Sequence, residues 1–296
     1  MAAALEPHLS PTSFSYRPGR STFDAACAVA EAVSTEPQGQ LYFIRADVAR
    51  CFGSLSWKVL KRELRKHFAD GRLRRLVLGL VQRPIVVGRE LHHPRSGIPQ
   101  GAAISPVLSN MYLASVDSVL ETRARQGFAW VRYSDDFLCV APGDHESAKF
   151  ELAFLERELK RVRLELAAEK TFIGPVSDGV DFIGLRFRRD VNDSGTCDVT
   201  VAQRNAFRLS DILRELVTDS LEAESSPPAF VQALSNVLIG WTSAFCLASD
   251  AEDIAERCGH QSLMDWLAGD PRLPSDEIEK RARILGRSLW GRSGSP

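Results

Sequence analysis

The chain has 296 residues, 44% of them hydrophobic, enough to bury a sizeable core and to divide into two or three lobes. Its 37 Lys and Arg nearly balance 38 Asp and Glu, a net charge of −1 that taken alone argues weakly against a nucleic-acid partner. No apolar run approaches the roughly 20 residues that span a bilayer, and the N-terminus lacks the basic head and apolar run of a secretory leader, so a cytoplasmic protein with no membrane partner is expected.

The first element is a helix from Thr22 onward, rich in alanine, entered through the Pro-Gly turn of "SFSYRPGRSTFDA". The apolar run of "GQLYFIRADVARCF" is a strand that ends at Asp47, and a second helix starts near Ser56 in "SWKVLKRELRKHF". An apolar segment over 76–80 and the hairpin-like "PIVVGRELHH" follow. From Lys58 to Arg95 eleven basic residues face three acids, a local excess of eight that suits a polyanion or, equally, a solvated helix face. Next, "SGIPQGAAISPVLSN" opens as a Gly/Pro-rich loop and becomes a helix from about Ser105, with Pro106 accommodated in the first turn. "FAWVRYSDDFLCVAP" is two strands pivoting at Ser134-Asp135, then come a charged helix over 146–163, "LELAAEKTFIG", and a last hairpin, "GVDFIGLRFRRDV". Beyond about Thr200 the chain reads as a separate helical lobe in which acids dominate from Asp211 to Asp276, with "ESSPPAF" as a loop. The six cysteines (Cys27, Cys51, Cys139, Cys197, Cys246, Cys258) form no CxxC pair and read as small buried thiols, not as a zinc site or disulfide frame.

Two adjacent acids at a strand turn repel each other unless a cation lies between them. Magnesium is held by one or two carboxylates together with substrate phosphates, so Asp135 and Asp136 make a candidate site that Asp47, at the end of another strand, would complete. The bland alternative is that the pair merely caps a turn.

Several segments in this order and spacing carry a resemblance: "RADVARCF", "SGIPQGAAISPVLSN", "RYSDDFLCV", "LELAAEKTFIG" and "VDFIGLRF" resemble the palm motifs of reverse transcriptases, the group II intron type most of all. "SFSYRPGRSTFDA" is similar to their finger-to-palm segment and "LIGWTSAF" to their thumb. The resemblance implies an α+β right-hand polymerase: partial fingers over 1–40, an antiparallel-sheet palm backed by helices over 41–188 with inserted basic finger helices at 56–95, and a helical thumb over 200–296. It implies an RNA-directed DNA polymerase that takes dNTPs, copies an RNA template into an RNA–DNA hybrid, and uses two magnesium ions, with manganese as a substitute. Asp47, Asp135, Asp136 and the carbonyl of Val48 would hold the metal, and Lys170 would neutralise or protonate the departing pyrophosphate. Phe52 would sit under the incoming sugar and exclude a 2′-hydroxyl, Gln100 and Gly101 would line the nucleotide pocket, and Arg17 and Arg20 would reach phosphates. Phe182, Ile183 and Gly184 lie in the hairpin that would grip the primer, although Phe182, Ile183 and Phe187 serve equally well as sheet core.

The pattern departs from the family in places. Ser134 and Gly53 stand where Ala and Asp are usual, the thumb is acidic, and the motif series starts without the finger hairpin that holds the triphosphate. Either the start is misassigned or the polymerase is abbreviated, in which case Arg17, Arg20, a partner protein or a noncoding RNA completes the fingers or catalysis is weak; a domesticated enzyme of a bacterial defence or CRISPR-associated system and a group II intron-type relative are both expected readings. The alternatives are a maturase-like RNA-binding scaffold and a polymerase subunit inert alone.

Overall fold

The computed structural model describes residues 1–35, 39–189, 195–270 and 273–290. The last two residues of the expected hairpin, 190 and 191, lie outside them, as do 36–38, 271–272 and 291–296 of the expected finger and thumb segments. The chain divides into two compact units: 1–183 with 187–197, and 184–186 with 198–296.

In the first unit, α1 (Ala2–Leu5) leads through a 3-10 turn (Glu6–His8) and a loop of turns to α2 (Thr22–Thr35), whose Ala25, Ala26, Val29 and Val33 recur at helical spacing and are buried. Strand β1 (Leu41–Asp47) is followed by a single turn, α3 (Cys51–Ser54), which the sequence reading missed, and by α4 (Trp57–His67). The apolar segment over 76–80 is part of a full helix, α5 (Gly71–Val81), which Asp70 caps by accepting from the Arg72 N–H at 2.7 Å. It buries Val77 and Val81 while Leu76 and Leu80 stay exposed. Strands β2 (Ile85–Val87) and β3 (Glu90–His92) form the expected hairpin, and α6 (Ser105–Arg123) begins with Pro106 in its first turn. Next come β4 (Ala129–Tyr133), β5 (Asp136–Pro142), α7 (His145–Arg161) and β6 (Phe172–Pro175).

Among the described residues the main sheet runs β4-β5-β1-β6, every pair antiparallel. Strand β1 is interior to it, which is why "LYFIRA" is almost continuously apolar: Phe43, Ile44 and Ala46 are fully buried. Its register with β5 sets Asp47 directly opposite Asp136. Helix α6 buries Leu108, Met111, Tyr112, Leu113, Val116 and Leu120 and so runs through the interior, each large apolar side chain contributing about 1.5–3 kcal/mol by its burial. Leu5, Leu60, Leu64 and Val77 share one core with Ile44 and Phe137, so residues assigned to fingers and palm are packed together. The chain passes to the second unit within β7 (Val180–Phe182), β8 (Leu185–Arg189) and β9 (Cys197–Val201), which order as β7-β8-β9.

The second unit is helical: α8 (Gln203–Glu222), α9 (Pro227–Ala244), α10 (Ala251–Ala268) and α11 (Ser275–Trp290). Leu209, Leu213, Leu234, Leu238 and Leu263 are buried in it, and the rings of Phe230 and Trp266 stack at 4.6 Å. "ESSPPAF" is a loop only as far as Ser226. Pro227 and Pro228 fall in the first turn of α9, where a missing N–H costs nothing, so a proline pair read as loop is here a helix start. The cysteines also depart from expectation. Cys51 and Cys139 alone are buried; Cys27, Cys197 and Cys258 are partly accessible and Cys246 is exposed. Among the described residues no helix is long and apolar enough to cross a membrane.

Candidate active site

Where β1 ends, three stretches of backbone are stitched together. The Val48 N–H donates to the Asp135 carbonyl at 3.1 Å, the Ala167 N–H to the Asp47 carbonyl at 2.8 Å, and the Ala49 N–H to the Glu165 carbonyl at 2.9 Å. These bonds open a cleft of about 450 Å³ lined by Asp47, Val48, Arg50, Phe52, Gln100, Asp135 and Lys170, together with Glu169. Six of these residues were expected in the site: Asp47, Val48, Phe52, Gln100, Asp135 and Lys170.

Lys170 makes a forked contact with Asp47, its Nζ at 3.1 and 3.2 Å from the two carboxylate oxygens. That hydrogen bond, with the charge of the same carboxylate, raises the lysine pKa above its ordinary range, so it is a cation at neutral pH. An ammonium lodged on Asp47 marks the cleft as a place that attracts positive charge. Among the described residues no three His, Cys, Asp or Glu side chains converge as a ready-made metal cage. Two carboxylates and a main-chain carbonyl, all hard oxygen donors, are what a magnesium site keeps when substrate phosphates complete it.

Asp136 is placed differently from the expectation. Its carboxylate accepts two bonds from Arg45, Nε at 3.1 Å and Nη2 at 2.7 Å, and it does not line the cleft. Residues 45 and 47 alternate to the same face of β1, which brings the guanidinium to the acid paired opposite Asp47. Burial pushes the Asp136 pKa up, Arg45 pulls it down, and the charges of Asp47 and Asp135 push it up again. The repulsion within the acid pair is thus relieved by Arg45 on one side and by the open cleft on the other.

The side of the cleft that carries Phe52 and Gln100 rests on a clamp that the sequence reading did not find. The Ile98 N–H donates to the Phe52 carbonyl at 2.7 Å, the Gly97 N–H to the Leu55 carbonyl at 2.8 Å, and the Trp57 indole to the Gly97 carbonyl at 2.7 Å. Gly97 has φ +85°, and a Cβ there would lie 2.8 Å from the carbonyl oxygens of both Phe52 and Gly53. The half-buried Phe52 ring is in this way fixed at the cleft wall by the loop that delivers Gln100. Gly101 adopts φ +77° with open space where a Cβ would be.

Other expected residues lie elsewhere. Arg17 is a buried organiser of its own loop: Nε and Nη2 donate to Glu6 at 3.0 and 2.6 Å, and Nη1 to the carbonyls of Ser10 and Ser13. With its guanidinium so engaged and only 5% of its side chain exposed, it is not displayed to a phosphate. Arg20 is partly committed, with Nη1 on the carbonyls of Pro11 and Ser13 and its guanidinium over the Phe14 ring. Phe182 is fully buried, which makes it sheet core, whereas Ile183 (φ +45°) and Gly184 (φ +90°) form the turn after it. Arg45, Arg50 and Glu169 were missed. Strand alternation from Asp47 could have found Arg45; nothing in the sequence pattern flags Arg50, which sits at a left-handed φ of +45° ahead of α3.

The family profile described as reverse transcriptase (RNA-dependent DNA polymerase) matches residues 1–187. Among curated proteins the chain is 25% identical over 260 residues to protein YkfC of Escherichia coli K12, covering 73% of this chain and 67% of that one. It is 22% identical over 261 residues to the group II intron-encoded protein LtrA of Lactococcus lactis, covering 66% of this chain and 42% of that one. Among solved structures, a telomerase from Candida albicans in complex with a fragment of telomeric RNA aligns with a TM-score of 0.56 at 14% identity, over 92% of this chain and 55% of that one, a likeness of fold. The chain therefore spans from about two fifths to two thirds of the length of these proteins.

Proposed function

The chain belongs to the reverse transcriptase family, of the group II intron-like kind, and on that premise we propose that it synthesises DNA on an RNA template by cation-assisted nucleotidyl transfer. The observation that carries the reading is the meeting of Asp47 and Asp135 with Phe52, Gln100 and Lys170 around one cleft. Asp47, Asp135 and the Val48 carbonyl would hold divalent cations, magnesium by the hardness of the donors, and Asp136 could join them only by releasing Arg45. When bound, such ions polarise the attacking 3′ oxygen and neutralise charge on the leaving pyrophosphate.

The chain's own groups supply the rest. The 3′ hydroxyl of the primer gives its proton to solvent, its oxygen attacks the α-phosphorus of a dNTP, and the bond to the departing pyrophosphate breaks. Lys170, held as a cation beside the cleft, neutralises the leaving group and can hand it a proton. Phe52, fixed from behind by the Gly97 clamp, fills the space a 2′-hydroxyl would need. The exposed basic residues of α4, α5 and the β2-β3 hairpin would track the template backbone, Arg74 being the basic side chain in this stretch that is turned inward, to the Phe68 carbonyl at 2.8 Å. An RNA–DNA hybrid, dNTPs and a cytoplasmic setting complete the reading.

The test is single-nucleotide extension of a primed RNA template by the wild-type chain and by Phe52→Val, with dNTPs and rNTPs offered separately. Wild type should add dNTPs and discriminate against rNTPs, and Phe52→Val should narrow that discrimination by about 10–100-fold in kcat/KM. No dNTP addition on RNA by the wild type would overturn the proposal.

A further inference from the structure

Ser134, the residue ahead of Asp135, holds a left-handed backbone conformation (φ +62°) although it is not glycine. A side chain with a Cβ adopts that conformation under strain and keeps it only when its surroundings over-determine it. Here they do. The Ser134 N–H donates to Ser15 Oγ at 2.7 Å, and the Ser134 carbonyl accepts from Arg132 Nη1 at 2.7 Å.

The other N–H groups of Arg132 are used as well. Nε and Nη2 grip Asp117 at 2.7 and 2.6 Å, Nη2 also reaches Ser13 Oγ at 2.7 Å, and Nη1 reaches Asn110 Oδ1 at 3.1 Å. All five guanidinium hydrogens thereby have an acceptor. Asn110 closes the circuit by donating to the Ser15 carbonyl at 2.8 Å. Ser13, Ser15, Asn110, Asp117 and Arg132 are each 2% exposed or less.

An ion pair sunk this deeply brings little net stability, since well-packed apolar residues of the same volume commonly serve as well or better. The arrangement is explained instead by where it converges. The N-terminal segment through Ser15, and α6 through Asp117 by way of Arg132 on β4, both end on the main-chain groups of one strained residue beside a cleft carboxylate. We infer that Ser15 and Arg132 are positioning residues: they hold Ser134 in its left-handed turn and so aim the Asp135 carboxylate at the cleft it shares with Asp47. The inference deepens the polymerase reading and rests on it for what Asp135 does.

Ser15→Ala is the informative variant, because removing Arg132 would strand the buried Asp117. Glycine takes a positive φ unaided, so Ser134→Gly should make the Ser15 hydroxyl dispensable. Mn²⁺ binding, followed by electron paramagnetic resonance, and primer extension would be measured on the full chain as wild type, Asp135→Asn, Ser15→Ala and Ser15→Ala/Ser134→Gly, with melting temperatures for each. Ser15→Ala should weaken Mn²⁺ binding and lower kcat by about tenfold, the order expected for one buried hydrogen bond, with the dNTP KM nearly unchanged. The double variant should return both to within about threefold of wild type.

Ser15→Ala binding Mn²⁺ as the wild type does, or a double variant as weak as Ser15→Ala, would overturn the inference. If wild type and Asp135→Asn bind Mn²⁺ alike, the cation-site reading fails and the positioning role falls with it. If the wild type binds Mn²⁺ through Asp135 and Ser15→Ala impairs that binding, yet no primer is extended, the polymerase reading fails while the positioning role is supported.

Discussion

On the proposed reading two cations would compete for Asp47: Lys170 holds both its oxygens from 3.1 and 3.2 Å, and a divalent ion would need the same oxygens. Lys170→Met should therefore lower the magnesium concentration for half-maximal rate by a few-fold while slowing the chemical step by about 100-fold or more, the usual size of a lost general acid. A magnesium titration of single-turnover rates separates the two effects; a slower step with the magnesium requirement unchanged would mean that the ion pair does not occupy the metal position. At this scale the acids were legible because residue type and motif spacing report charge directly. Arg17 was not: its partner Glu6 lies eleven positions away, and only the folded loop turns a cation of the "RPGR" turn inward. Asp136 was half legible, since its neighbourhood with Asp135 is in the sequence but its capture by Arg45 depends on the β1-β5 register.

The short turn α3 and the loop before Gln100 act as one element, because Ser96, Gly97 and Ile98 bond back to the backbone of 52–55. Gly97→Ala meets two carbonyl oxygens at 2.8 Å in a conformation that L side chains resist, so it should cost about 2 kcal/mol or more in urea unfolding and raise the KM for dNTPs by displacing Phe52. Unchanged stability together with unchanged KM would show that the clamp does not set the pocket. The motif "SGIPQG" pointed to a loop without revealing which segment it embraces, because a long-range backbone bond leaves no periodic trace. The strands were legible for the opposite reason: β1 and β5 are interior, and burial on both faces writes itself as near-continuous apolar runs. Helix α5 and the start of α9 were misread where local composition, a short apolar patch and a proline pair, suggested less helix than tertiary packing supports.

Across the molecule the charges are segregated although they nearly cancel, with basic residues exposed over 58–95 in the first unit and acids frequent in the second. Net charge alone concealed this, and only the distribution along the chain made it readable. If the basic face tracks a nucleic-acid backbone, Lys61→Glu/Arg65→Glu should weaken binding to an RNA–DNA hybrid and flatten the dependence of log K on log salt by about 0.7–0.9 for each phosphate left without its cation. Fluorescence anisotropy at several salt concentrations gives that slope, and an unaltered slope would move the binding surface elsewhere. The central claim, that Asp47 and Asp135 form one catalytic unit, is tested most directly by a double-mutant cycle of Asp47→Asn and Asp135→Asn on the single-turnover rate of dNTP addition to a primed RNA. The account predicts that each single change reduces the rate by about 1,000-fold or more and that the double change reduces it little further, as for residues that act together. Strictly additive losses, or a single variant retaining near wild-type rate, would contradict it.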